Sequence, residues 1–196
     1  LTLWPVQEFV AQARRTRDFW AGSFLLSWLS ATALQTVRAL GGRIVFPDYD
    51  QNFLDWLTGK APGNGAHASP RQGNMPNRFL AEVPAGFDAH AVAASVRTAF
   101  RELAEAVWKH DFAHAGLPAP LRESARRIWE RQIDGFWHVS WALTDTPESN
   151  ILDRRKNWRS HHAPEEPGVK CMMMDGWQEL SGARRPNAPE RDAFWN

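Results

Sequence analysis

Several residue groups in this chain have the types and spacing that chemistry uses. His110, Asp111 and His114 sit close together, with the two histidines four apart on one helical face, a spacing two metal ligands can share. The dipeptide His110-Asp111 also starts the ligand set of an HD phosphohydrolase, which needs further His and Asp ligands. A charged pair near a helix C-terminus explains the same residues through the helix dipole. Asp48-Tyr49-Asp50 is the only D-x-D, placed after a strand end, where either a metal or a turn would use it. His161, His162 and Cys171 would supply three zinc ligands, but Cys171 is the chain's one cysteine and is followed by the thioethers Met172, Met173 and Met174. A thioether does not replace thiolate on zinc. Zinc is therefore not expected, and neither a catalytic nor a metal-ligating residue is assigned. Finally, Arg14, Arg15 and Arg17 precede a line of hydroxyls, Ser23, Ser27 and Ser30. A guanidinium fork fits phosphate and a hydroxyl can read a base edge, whereas the default for such a charge run is a solvated face. Arg14 and Asp18 can pair at i, i+4.

The elements that would position these groups begin with Pro5 to Leu34, read as one long amphipathic helix. Stepping by three or four from Phe9 passes through Ala13, Thr16, Trp20, Phe24, Ser27, Ala31 and Leu34. Small residues on it let a backbone or a ligand come close. Pro5 opens it and Gly41-Gly42 closes it. Before it, Leu1–Trp4 reads as a strand; after it, Arg43 to Phe46 reads as another, stopped by Pro47. A helical scrap at Asn52–Leu57 leads into a loop from Gly59 to Asn74. A strand follows over Arg78–Val83. Asp88 caps a helix ended by Gly116. A helix from Pro118 to Gln132 is separated by Gly135 from a strand over Phe136–Leu143. The expected class is α+β: a ferredoxin-like antiparallel sheet with long helices on one face, in a domain over residues 1–146. Residues 147–196 read as a loop-rich appendage, with a basic cluster Arg154-Arg155-Lys156 and a short hairpin near Val169–Glu179 held by methionine and Trp177 packing.

Composition limits the partners. The net charge of +1 argues against a surface built throughout to coat nucleic acid, and leaves room for a local patch. One cysteine excludes an internal disulfide framework and suits a reducing, cytoplasmic setting. There is no run long enough for a membrane span and no signal peptide. The start at Leu1 reads as that of a piece of a longer protein. Eleven tryptophans against one tyrosine place large indole surfaces at packing seams and interfaces.

Three ordered strings carry a family resemblance. Pro5-Val6-Gln7 with Ala13-Arg14-Arg15-Thr16-Arg17-Asp18-Phe19-Trp20-Ala21-Gly22-Ser23 and Leu25-Leu26-Ser27 resembles the opening of the first palm, or cyclase-like, domain in the large subunit of type III-B CRISPR effector complexes. Ile44-Val45-Phe46-Pro47 and Pro76-Asn77-Arg78-Phe79-Leu80-Ala81 resemble that family's next landmarks in the same order. The resemblance implies a parent that joins ATP into cyclic oligoadenylate once target RNA pairs with guide RNA, alongside other subunits of the complex. In that family the acid-bearing GGDD belongs to a second palm, which would hold Mg or Mn. Here Gly41-Gly42-Arg43 lacks the acids and Leu1–Trp4 holds none. The resemblance therefore implies a non-catalytic ATP-pocket wall, with Gln7, Arg17, Ser23, Ser27, Asn77 and Arg78 as nucleotide-binding residues. The alternative is a purely structural scaffold contacting neighbouring subunits or the guide RNA.

Overall fold

A computed structural model describes residues 1–59, 70–112, 117–146 and 165–195 of the chain. The described residues form two compact units, Leu1–Ala99 with His138–Ser160, and Phe100–Trp137 with His161–Asn196.

The first unit is built on short antiparallel strands. Strand β1 (Thr2–Trp4) pairs with β4 (His138–Ser140) in the register Thr2 to Ser140, Leu3 to Val139 and Trp4 to His138. Strand β2 (Arg43–Phe46) pairs with β3 (Leu80–Glu82), with an irregularity between Ile44 and Phe46. The two ladders are joined at one place. Thr2 bridges Arg78, Leu3 N donates to Asn77 O at 2.8 Å, and Phe79 N donates to Leu1 O at 3.1 Å. Residues 77–79 run directly into β3, so this contact links the β1–β4 ladder to the β2–β3 ladder. Alternation puts Leu3 and Phe79 in the core, 1% and 5% exposed.

The long helix read from the sequence is two helices. Helix α1 (Gln7–Ala11) is separated from α2 (Thr16–Ala39) by Gln12–Arg15, and Arg15 is extended at φ −130°, ψ 155°. The local reason is Asp18, whose carboxylate accepts the Arg15 N–H at 3.1 Å, caps the first turn of α2 and thereby favours a new start over a continuous run. Asp18 also lies 3.6 Å from Arg17 Nε, so its ion-pair partner is Arg17 rather than Arg14. Gly41 ends α2 at φ +84°, as a left-handed residue past a helix end must. Helix α2 buries Leu29, Leu34 and Val37, and its Thr36 hydroxyl donates to Ser95 at 2.8 Å on α4 (Ala89–Val107). Asp88 caps α4 by accepting the His90 and Ala91 amides. Between β2 and β3 lies α3 (Gln51–Leu57), whose Phe53 and Leu54 are buried.

In the second unit α4 runs on into a π-helical turn, Trp108–Phe112. Helix α5 (Ala119–Phe136) continues four residues beyond the expected end and through Gly135. It stops where Trp137 turns extended, ψ 129°. Trp108, Leu117, Ala125 and Phe194 make the local core, with Phe112, Trp129 and Leu180 against it. The expected hairpin is present, with Lys170 bridging Gln178 and Glu179 N donating to Val169 O at 2.8 Å. Trp177 holds it, buried and 5.7 Å from the Phe136 ring. Of the methionines beside it, Met172 is 76% exposed and Met173 39%, while Met174 is half-buried and its carbonyl accepts the Trp177 N–H at 3.1 Å. A helix absent from the sequence reading, α6 (Pro189–Trp195), buries Phe194 in this core.

Candidate functional site

The expected nucleotide residues divide into two groups. Ser23, Ser27, Asn77 and Arg78 are tied together through one segment, residues 70–79, which crosses α2 and then pairs with β1. Ser27 is buried, and its hydroxyl accepts the Met75 N–H at 3.2 Å. Gly73 lies against the same face so closely that a Cβ there would meet Ser23 O at 2.4 Å and Ser27 Oγ at 2.7 Å. The small residues of α2 thus admit a backbone, one of the two uses their size allows. Trp20 and Asp50 anchor the segment further: Trp20 Nε1 donates to Arg71 O at 2.6 Å, and Asn74 Nδ2 donates to Asp50 Oδ2 at 2.8 Å. Downstream, Asn77 Nδ2 reaches Leu3 O at 3.4 Å, and Arg78 sits opposite Thr2.

Gln7 and Arg17 form the second group, both exposed. Six positions separate Arg17 from Ser23, about 120° around α2 and about 9 Å along it. Arg17 accordingly lies off the Ser23–Ser27 face, about 80° around α2 from Ser27.

The other candidates resolve into local roles. Asp50 is the N-cap of α3, accepting Asn52 N at 2.9 Å and Phe53 N at 3.2 Å. The Asn74 hydrogen bond, followed by those two amides, holds its carboxyl below the ordinary aspartate range. Asp48 is exposed two residues past β2, and His110 Nδ1 lies 2.7 Å from Asp111 with 86% of the histidine side chain exposed. His114, His161, His162 and the Arg154–Lys156 cluster lie outside the described residues. Cys171 is a free thiol, its sulfur 3.4 Å from Met173 N. Among the described residues no three His, Cys, Asp or Glu side chains converge as a metal site, and no helix is long and apolar enough to cross a membrane.

Residues 1–109, more than half of the chain, match the family model described as CRISPR-associated protein Cmr2, N-terminal. The chain belongs to this family. A relative within reach is the CRISPR system Cmr subunit Cmr2 of Pyrococcus furiosus, 32% identical over 102 residues, which cover 50% of this chain and 11% of that protein. The chain therefore spans about a tenth of the curated Cmr2 it matches. The Cmr2 match takes in every element that holds the site together: β1, α1, α2, the 70–79 segment and β3. Sequence reasoning missed one feature of it, the seating of Gly73 on α2. The signal was in view as two small residues four apart, Ser23 and Ser27, with a glycine in the following loop.

Proposed function

We propose that this chain is the first palm of the large subunit of a type III-B CRISPR effector complex, and that it forms one non-catalytic wall of an ATP pocket used to make cyclic oligoadenylate. The observation that supports the reading is the pairing of β4 with β1 and of β3 with β2, with a bridge from Thr2 of β1 to Arg78 just ahead of β3, α2 crossing from β1 to β2, and α4 and α5 leading from β3 to β4. Joined through that bridge, the two ladders would follow the strand order of a ferredoxin-like palm. Palm chemistry on phosphates needs paired carboxylates to hold two metal ions about 3.5–4 Å apart. In this chain β1 carries no acid, and Asp50 is committed to capping α3. The metal-holding acids, and with them Mg or Mn, would come from a second palm. What this chain offers is binding: Asn77 and Arg78 at the β1 seam, Ser23 on α2 against Gly73, Ser27 as the hydroxyl that seats the segment, and the exposed Gln7 and Arg17 at the helix starts. Its partners in this reading are ATP, the other subunits, and guide and target RNA through the complex.

The test uses the intact complex. Arg78→Ala is expected to weaken ATP binding about ten-fold or more, the size of one missing charge-assisted hydrogen bond, and to lower oligoadenylate synthesis with assembly unchanged. The isolated chain with ATP and Mg²⁺ is expected to yield no oligoadenylate; product in that reaction would overturn the non-catalytic assignment. A second reading, a scaffold that contacts neighbours or guide RNA, draws on the filling of the Ser23–Ser27 face by backbone. Unchanged ATP affinity in Arg78→Ala and Arg17→Ala complexes would decide for it.

A further inference from the structure

We propose that the first turns of α2, with Arg71 beside them, form a docking surface for single-stranded nucleic acid. Two adjacent aromatic side chains are left open there, Phe19 at 54% and Trp20 at 49% exposure. Rings of that size are normally covered, and their π-faces are what a nucleobase stacks on. Trp20 is held for the purpose. Its Nε1 is fixed by Arg71 O at 2.6 Å and Phe24 backs it at 5.6 Å and 26°, so little ordering remains to be done on binding.

The charges around the rings select the occupant. Arg15, Arg17 and Arg71 are all exposed, and the Trp20 hydrogen bond places residue 71 against α2. The carboxylate in the same turns, Asp18, is already engaged by the Arg15 amide at 3.1 Å and by Arg17 at 3.6 Å. With 75% of the Arg17 side chain exposed, that pair is too weak to hold the guanidinium back from a phosphate. An apolar protein partner would match the rings and leave the guanidiniums without counter-ions; an acidic segment would match the guanidiniums and leave the rings uncovered. A strand of phosphates with unstacked bases matches both. Duplex nucleic acid does not, since its bases are already stacked on each other.

The experiment is fluorescence anisotropy of a labelled twelve-nucleotide single-stranded RNA titrated with this chain between 50 and 200 mM salt, with the same sequence as a duplex and an acidic peptide of equal charge as comparisons. Binding is expected to favour the single strand. Arg15→Ala with Arg71→Ala is expected to flatten the log–log salt slope by about 1.4, roughly 0.7 for each phosphate no longer neutralised. Phe19→Ala is expected to weaken binding about ten-fold while leaving that slope unchanged. No single-strand binding at 50 mM salt, equal binding of duplex or acidic peptide, or wild-type affinity in both variants would each overturn the proposal. It rests on residues other than Asn77 and Arg78, so ATP affinity of the intact complex, measured in parallel, separates its failure from failure of the ATP-wall reading.

Discussion

Gly73→Ala is expected to destabilise the chain by about 2–4 kcal/mol, measured by urea unfolding, and to loosen residues 70–79 as seen by hydrogen exchange at Met75 N–H. The added Cβ would sit 2.4 Å from Ser23 O and 2.7 Å from Ser23 C, both backbone atoms inside α2. Neither can swing away as a side-chain tip would, so the segment itself must lift. Overpacking of this kind costs about 1–3 kcal/mol. Lifting also parts Met75 N from Ser27 Oγ, now 3.2 Å apart in a buried setting, for about another 1 kcal/mol. Gly135→Ala is the matching contrast. Nothing lies within 4 Å of a Cβ at that position, inside α5, so alanine's higher helix propensity is expected to stabilise the chain by up to about 1 kcal/mol. Equal, small effects from both substitutions would contradict the close seating of the 70–79 segment on α2.

Gly41 and Gly135 show what a sequence discloses and what it withholds. Gly41 followed the expected rule because local geometry decides a helix end. Gly135 did not, because one internal glycine costs a helix only about 1 kcal/mol and the aromatic packing of Phe136 against Trp177 and Phe100 carries α5 past it. All four expected strands are present, each at or inside its expected limits, since β-branched and aromatic runs bounded by Pro and Gly report strands directly. The break at Gln12–Arg15 was hidden because the apolar period continues across it; only the hydrogen bond from Arg15 N to Asp18 marks the new start. At the site, residue types indicated close approach on α2, and three-dimensional placement was needed to learn that Gly73 and Met75 make it. The α6 helix escaped because Phe194 gains its burial from Trp108 and Phe112, far away in the chain.

Glu166→Ala is expected to cost about 2–4 kcal/mol in the second unit, the range for a buried acceptor that several donors share. Its side chain is 4% exposed and serves Arg131 Nε at 2.9 Å, Gln132 Nε2 at 2.7 Å and the Gln178 amide at 2.5 Å. Removing the carboxylate leaves the Gln178 N–H buried without its acceptor, next to the bridge that defines the hairpin. The Arg131 side chain is 47% exposed, so water recovers its charge, and the cost stays below that of a wholly buried pair. Burial alone would push the Glu166 carboxyl up; Arg131, the Gln178 amide and Gln132 outweigh it and hold the carboxyl below the ordinary glutamate range. A depressed folded value makes the contribution complete above the unfolded pKa of about 4.3 and removes it as pH falls through the folded value. The stability gap between wild type and Glu166→Gln is therefore expected to be constant near neutrality and to close below about pH 4. Urea titrations from about pH 3 to about pH 7, with exchange at the Gln178 amide as the local readout, measure both effects. A gap that persists undiminished at the acid end would mean that the charge of Glu166 is not what joins α5 to the hairpin.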